Sequence, residues 1–451
     1  MSSNTSRSRL VVASLAAASA GLSVAIISLS KVLLVITTLF VLLRRSRGVE
    51  RFSPLEGMAT PWLVLAVLFS FACSLFWTSA DMSEALGSLG KYGKFLVIPA
   101  FLLLVRTRRD ATWVLGAFLG GQAFVLISSW LLFFDVPLIW ATSRAAKVSY
   151  AVFSSYLDQG IMSAVMGAVF WHLRLLAPNR PAFYLAIALS LLAFGNVFVV
   201  YTGRTGHLVG IAMLSLAIFW VLPKRFRMAS LLVPPLIFLV VYLSFDKVGQ
   251  RFAMVKEEVT AYSVRPESRT SSGARLNYWR ASLEAIAEKP LLGYGVGSWS
   301  KEYQRIEQSR RGKSLGVGNP HQEFLLWGVQ LGAGGILLLA AWMIAVGRDF
   351  GQVDAPVARA GLSVLWALVL SCLLNSSLYD AYIGDFFCLS LGVLLAYGWR
   401  AGNATRGGFV PGLDGADSGR MHMTAVGSTQ SRAVVSEGAA GGKSWIAFAH
   451  A

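Results

Sequence analysis

Long apolar runs dominate the chain, and runs of this length leave few folds open. About twelve stretches of roughly 17–25 mostly apolar residues follow one another. They fall near 9–27, 29–43, 61–79, 91–105, 111–134, 157–176, 182–201, 205–222, 228–245, 322–347, 357–376 and 383–399. Lipid offers no hydrogen-bonding partner to an open backbone, so such stretches cross a bilayer as helices. The expected fold class is all-α, a polytopic integral membrane protein with about twelve transmembrane helices. No clear loop separates the first two runs, and the fourth contains Lys91 and Lys94. Arg7 and Arg9 before the first run resemble the start of a cleavable signal peptide. The apolar character continues past Lys31 to Leu43 and stops at Arg44-Arg45-Ser46-Arg47, so both runs are expected to stay in the protein.

Composition supports this class. Of 451 residues, 55% are hydrophobic and 14% charged, where about 25% charged is usual for soluble proteins. Mean hydropathy is +0.60. These values exclude a disordered chain and disfavour a soluble enzyme. The net charge of +17 and the pI near 10.1 would suggest nucleic acid in a soluble protein. Here the charge follows the even-numbered spans: Arg44, Arg45, Arg47 and Arg51, then Arg106, Arg108 and Arg109, then Arg174 and Arg180. Lys224, Arg225 and Arg227, then Arg348 and Arg359, then Arg400 and Arg406 complete the series. Basic loops stay cytoplasmic, so these loops and both termini are placed inside and no nucleic-acid partner is expected. Cys73, Cys372 and Cys388 lie in apolar runs without a Cys-x-x-Cys spacing, which gives neither a disulfide framework nor a zinc site.

Four parts follow: 1–245 with nine spans, 246–320 as a long outer loop, 321–400 with three spans, and a Gly-, Ala- and Ser-rich tail, 401–451, expected to be disordered. The other outer segments lie around 80–90, at 135–156, at 201–205 and at 377–382. Within the long loop, Leu276, Trp279, Leu283 and Ile286 recur at spacings of three and four, an amphipathic helix suited to a membrane interface. Pro290 ends it, Gly293-Tyr294-Gly295-Val296-Gly297 reads as a flexible turn, and a second helix is expected over Ser300–Ser309. The loop holds 13 Lys and Arg against 8 Asp and Glu, a net of +5. Long loops escape the positive-inside rule, so this charge suggests an anionic ligand.

Three residues stand out there. Arg204, in Thr202-Gly203-Arg204-Thr205-Gly206, sits in a short turn between spans. An arginine at that depth must be paired, solvated or snorkelling, and its flanking glycines would let a large ligand approach. Arg275 is placed at the start of the amphipathic helix, where free N–H groups and the positive dipole end would join it in binding an anion. Arg265 and Arg269 lie just upstream; solvated loop charge explains them equally well. His321, where the loop re-enters the membrane, carries a group that exchanges a proton near neutral pH, although a lone histidine is more often structural. No His, Cys, Asp or Glu cluster has metal-ligand spacing, no phosphate-binding Gly-Lys-Ser/Thr loop appears, and the outer segments lack an Asp-x-Asp pair.

In this order the segments resemble the O-antigen ligase/polymerase family of bacterial envelope enzymes. The resemblance rests on Thr202-Gly203-Arg204-Thr205-Gly206, on Arg275-x-x-x-Trp279 followed by Pro290–Gly297, and on His321-Gln322-Glu323-Phe324-Leu325 leading to Gly332 and Gly335. It covers roughly 180–400 in detail; Gln322 departs from the Asn that many members carry there. It implies a metal-independent, inverting glycosyltransferase of the helical membrane type (GT-C-like), without cofactor, in the bacterial inner membrane with its site facing the periplasm. The implied donor is a polysaccharide on undecaprenyl pyrophosphate, and for a ligase the acceptor is a sugar hydroxyl of the lipid A core. Arg204, Arg275 and Arg265 would bind the pyrophosphate, Arg204 and Arg275 taking part in catalysis with His321, the base. An O-antigen polymerase or a protein O-oligosaccharyltransferase would use similar residues on another acceptor. From a different class, a lipid-linked sugar transporter or flippase would place ionisable residues near mid-membrane; charges within these spans are few.

Overall fold

The structure, a computed structural model, describes residues 3–46, 55, 57–141, 143–246, 249–250, 252–254, 271–311 and 317–406. All belong to one unit, Met1–Gly407; of the tail expected over 401–451, residues 401–406 instead continue the last helix, and those beyond 406 lie outside the described residues.

Sixteen helices appear among the described residues, with no strand: α1 (Ser3–Ser19), α2 (Val24–Ser46), α3 (Thr60–Cys73), α4 (Met82–Tyr92), α5 (Val97–Leu104), α6 (Arg108–Phe133), α7 (Arg144–Ser149), α8 (Tyr156–Leu173), α9 (Arg180–Gly195), α10 (Arg204–Val221), α11 (Val233–Ser244), α12 (Ser271–Glu288), α13 (Trp299–Arg311), α14 (Glu323–Phe350), α15 (Ala355–Leu374) and α16 (Ala381–Arg406). Local sequence starts several of them. Thr107 and Asp110 form a reciprocal capping box before α6, Ser155 caps α8 through the Asp158 amide, and Asn179 caps α9 with Pro181 in its first turn.

The protein is an all-α polytopic membrane protein. Eight helices among the described residues are long and apolar enough to span, fewer than the twelve expected. The other four expected places are helical but shorter or more polar: α1 has 17 residues, α3 has 14, α8 carries Asp158, Gln159 and His172, and the Met228–Ser244 helix is short. The first two runs also divide earlier than the hydropathy suggested. Gly21, at φ +89°, turns the chain between Ser19 and Val24, and its carbonyl accepts the Tyr382 hydroxyl. The fourth span begins at Met82 and continues through a 3-10 turn, Gly93–Leu96, to Leu104. The 80–90 stretch is therefore mostly helix rather than an outer loop.

Two ends of the bundle are defined by side-chain contacts. At one, Arg400 donates to the carbonyls of Val105 and Leu102, Arg9 to that of Leu104, and Asp349 accepts the Ala59 and Thr60 amides. This is the end of the arginine-rich links. α16 runs from the opposite end and is buried along nearly its whole apolar length, whereas most of α2 is not.

At that opposite end α12 and α13 form a hairpin packed on α14. The glycine-rich link between them is ordered, contrary to the flexible turn expected. Gly293, Gly295 and Gly297 all have positive φ, and a Cβ on Gly295 would lie 2.3 Å from the Thr78 Cα. α14 breaks opposite this link, at Gly332 (φ 66°, ψ −158°). The break exchanges partners. The Ala333 amide leaves its helical carbonyl and donates to Pro290, while the carbonyls of Val329 and Gln330 accept from Tyr294 and Gly295. Glycines are needed on both sides because two backbones meet without room for side chains.

Candidate active site

α10 begins on a rigid turn. A π-helical turn, Asn196–Val200, ends α9, and the buried Tyr201 follows. Its hydroxyl pairs with Ser129 at 2.8 Å and donates to Gln159 at 3.0 Å. His207 is fully buried; its Nε2 lies 3.2 Å from the Tyr201 carbonyl and its ring stacks on Phe198. His207 is thus a packing residue. The glycines beside Arg204 also serve packing rather than ligand access. A Cβ on Gly206 would meet the Gly160 carbonyl carbon at 3.1 Å, and one on Gly203 would meet Leu157. They bring α10 against α8.

Arg204 is the first residue of α10, so it is this arginine that stands at a helix N-terminus. Its guanidinium donates to the Ser272 hydroxyl at 3.3 Å, reaching the first turn of α12. Arg275 lies one turn further on, since α12 as described begins at Ser271; the helix-start position expected for it is corrected accordingly. The expected apolar stripe is displaced too. Gly273, Ala281, Ser282 and Ala285 are the buried residues among those described in α12, whereas Leu283 is exposed.

His321 faces the same helix. Its ring lies 6.1 Å from that of Tyr278, and Arg275 is close enough to oppose its protonation. Burial is the larger cause holding the imidazole below its ordinary pKa of 6.5, partly offset by the Asn375 side chain. Nδ1 is 2.9 Å from the Asn375 Oδ1. His321 sits in the left-handed region, φ 53°, where its amide donates to the Asn319 Oδ1 at 2.9 Å. The Asn319 amide in turn reaches Asp380 at 3.5 Å. Burial and the Asp158 carboxylate push Asp380 up to about 6, against Lys94 and Lys91.

The two chain segments that hold this imidazole are tied together. Glu323 at the start of α14 accepts the amides of Leu378 and Tyr379 at 2.9 and 3.1 Å, and the Gln322 amide donates to Ser376. The structure therefore brings Arg204, Arg275 and His321 around the first turns of α12. Arg265 and Arg269 lie outside the described residues. Sequence reading missed Asn375, Asn319 and Tyr278. The polar Asn375-Ser376-Ser377 at the end of an apolar run was the available signal for the first.

An apolar groove of about 590 Å³ runs below the site between α10, α11 and α15, lined by Leu208, Ile211, Ala212, Phe219, Phe238, Trp366 and Leu374 among others. Leu208 is one turn from Arg204, and Leu374 adjoins Asn375. The few titratable groups within the spans have partners: Lys31 pairs with a buried Asp385 at 2.6 Å, and Lys94 donates to the Asp380 carbonyl. Lys31 is seven residues from the start of α2 and Asp385 four from the start of α16, about 10 and 6 Å along each helix. They belong to the site end rather than the bundle centre. Among the described residues, no group of three or more His, Cys, Asp or Glu could hold a metal ion.

Residues 187–340 match the family model described as O-Antigen ligase. That stretch contains Arg204, Arg275 and His321 and ends before Asn375. A curated protein of Haemophilus influenzae, described as an uncharacterized protein, is 27% identical over 94 residues, 20% of this chain. The chain spans about a quarter of that relative, 24% of its length. Over residues 187–340 the chain is similar to the O-antigen ligase family, and that stretch carries the two arginines and the histidine that meet at one end of the bundle.

Proposed function

We propose that the protein is an O-antigen ligase of the bacterial inner membrane. It transfers a polysaccharide from undecaprenyl pyrophosphate to a sugar hydroxyl of the lipid A core, on the periplasmic face. The carrying observation is the stacking of two chemistries on one helix: Arg204 begins α10, and an apolar groove of about 590 Å³ starts one turn below it. A polyprenyl diphosphate has this form, an anionic head on a long apolar tail.

Arg204 and Arg275 neutralise the departing diphosphate, their planar forks matching phosphate oxygens; Arg265 is proposed to assist. His321, neutral at physiological pH because burial disfavours its cation, takes the acceptor hydroxyl proton at Nε2. The acceptor oxygen bonds to the anomeric carbon from the face opposite the leaving phosphate, whose oxygen keeps the electron pair of the broken bond, so configuration inverts. No metal or other cofactor is assigned, the arginines supplying the charge. The titratable side chains within the spans sit near the site end, which favours a transferase over a transporter with a mid-membrane site.

The test combines purified protein, lipid-linked polysaccharide and a panel of acceptors: lipid A core, a second glycan chain and a protein. Transfer to lipid A core, lost in Arg204→Ala and His321→Ala, is expected. Transfer to the glycan or protein alone would make the chain a polymerase or an oligosaccharyltransferase, and lipid flipping without any product would refute the enzymatic reading.

A further inference from the structure

The geometry points to Asn375 as the residue that positions His321, by fixing which ring nitrogen carries the proton. This deepens the proposed function and rests, for its catalytic consequence, on His321 being the base. The Asn375 Oδ1 lies 2.9 Å from Nδ1. A side-chain carbonyl oxygen accepts and cannot donate, so the contact is a hydrogen bond only when Nδ1 carries the hydrogen. Assigning the oxygen to that side of the amide leaves the NH₂ elsewhere; the reverse orientation would give an Nδ1 acceptor and the other tautomer, so the assignment is what the experiment reads. With Nδ1 protonated, Nε2 has its lone pair free to receive a proton from a hydroxyl.

The position of Asn375 is itself fixed. It directly follows α15, is extended (φ −156°, ψ 165°), and its amide donates to the Ser371 carbonyl at 2.7 Å. Glu323 and Ser376 tie the following turn to the start of α14, so His321 and Asn375 cannot separate without breaking those bonds. Asn319 holds the histidine backbone from the other side. Charged and titratable groups around the ring are Arg275 and Tyr278 on α12, Asp380 through Asn319, and beyond it Asp158, Lys91 and Lys94; Glu323 begins α14 two residues away. The nearby cation, Arg275, opposes a charged imidazole. A neutral acceptor at Nδ1 orients the ring and steadies the imidazolium formed in turnover, without raising the pKa as far as a carboxylate would.

Two readouts test this on the full chain in lipid nanodiscs. Nitrogen-15 NMR of the labelled histidines, with the His321 signal identified by its loss in His321→Gln, reports the tautomer directly. We expect Nδ1–H with an unprotonated Nε2, and loss of that preference in Asn375→Ala. A protonated Nε2 in the unaltered protein, or an unchanged preference in Asn375→Ala, overturns the assignment. The second readout is the pH profile of transfer. Asn375→Asp places an anion on Nδ1–H and should move the acid limb up by about 1–3 pH units; an unmoved limb also overturns it. Should Asn375→Ala fail to fold, the tautomer of the unaltered protein decides. Persistent transfer in His321→Ala would remove the base role from the proposed function, while the tautomer result would still judge Asn375.

Discussion

Replacing Gly332 by alanine attacks the joint on which the site hangs. Its φ of 66° and ψ of −158° belong to a region that only glycine occupies readily, which costs about 1–3 kcal/mol for a residue with a side chain. The new Cβ would also lie 2.5 Å from the Leu291 carbonyl carbon and oxygen and 2.6 Å from the Pro290 oxygen. Those are backbone atoms that cannot rotate away, so overpacking adds about 1–3 kcal/mol. Together the cost is about 2–6 kcal/mol, a large part of the roughly 5–15 kcal/mol that holds an ordinary domain folded. The three exchanged backbone bonds around Pro290–Gly295 are at risk with it. Gly334 is the internal control. It is exposed, and its Cβ would meet nothing closer than 3.9 Å, so alanine there should be neutral or stabilise the helix by up to about 1 kcal/mol. Thermal unfolding in detergent, followed by intrinsic fluorescence, should show Gly332→Ala melting several degrees lower and Gly334→Ala unchanged. Transfer by Gly332→Ala should fall with the loosening of α12, which carries Arg275. Equal melting of both variants would refute the docking of the glycine link as a source of stability.

At the arginines, alanine should abolish transfer at Arg204 and at Arg275 while insertion and folding persist; lysine should rescue only partly, because a point charge replaces a fork, and full activity in either lysine variant would count against bidentate phosphate binding. Half-buried His321 is held below 6.5, so a base acting as the neutral form should keep transfer flat through neutral pH and lose it only as pH falls below that value; an acid limb above 6.5 would contradict the base assignment. Ala212→Trp, which fills the groove below the site, should raise KM for a long-chain polyprenyl donor more than for a short-chain one, and equal effects would separate the groove from the lipid tail. Transfer should survive EDTA; loss restored by a divalent ion would overturn the metal-independent chemistry.

The sequence alone established the class, because runs of apolar residues as long as a bilayer is thick admit only helices. It also singled out Arg204, Arg275 and His321, since polar side chains in outer turns and loops are conspicuous against an apolar background. Ends were less legible. The break at Gly21 is invisible to hydropathy because Ala20, Gly21 and Leu22 are all compatible with a continuing span. The helix over 82–92 is hidden from hydropathy by Ser83, Glu84, Ser88 and Lys91, which break up its apolar run. What only the tertiary structure decided is who meets whom. Asn375 is 54 positions from His321 in sequence, and no local pattern links a polar residue at one helix end with a loop that precedes another. The glycines of 293–297 likewise read on their own as a flexible turn, and nothing local sets Gly332 apart. Their real cause is contact between two distant backbones, where any side chain would occupy space already filled.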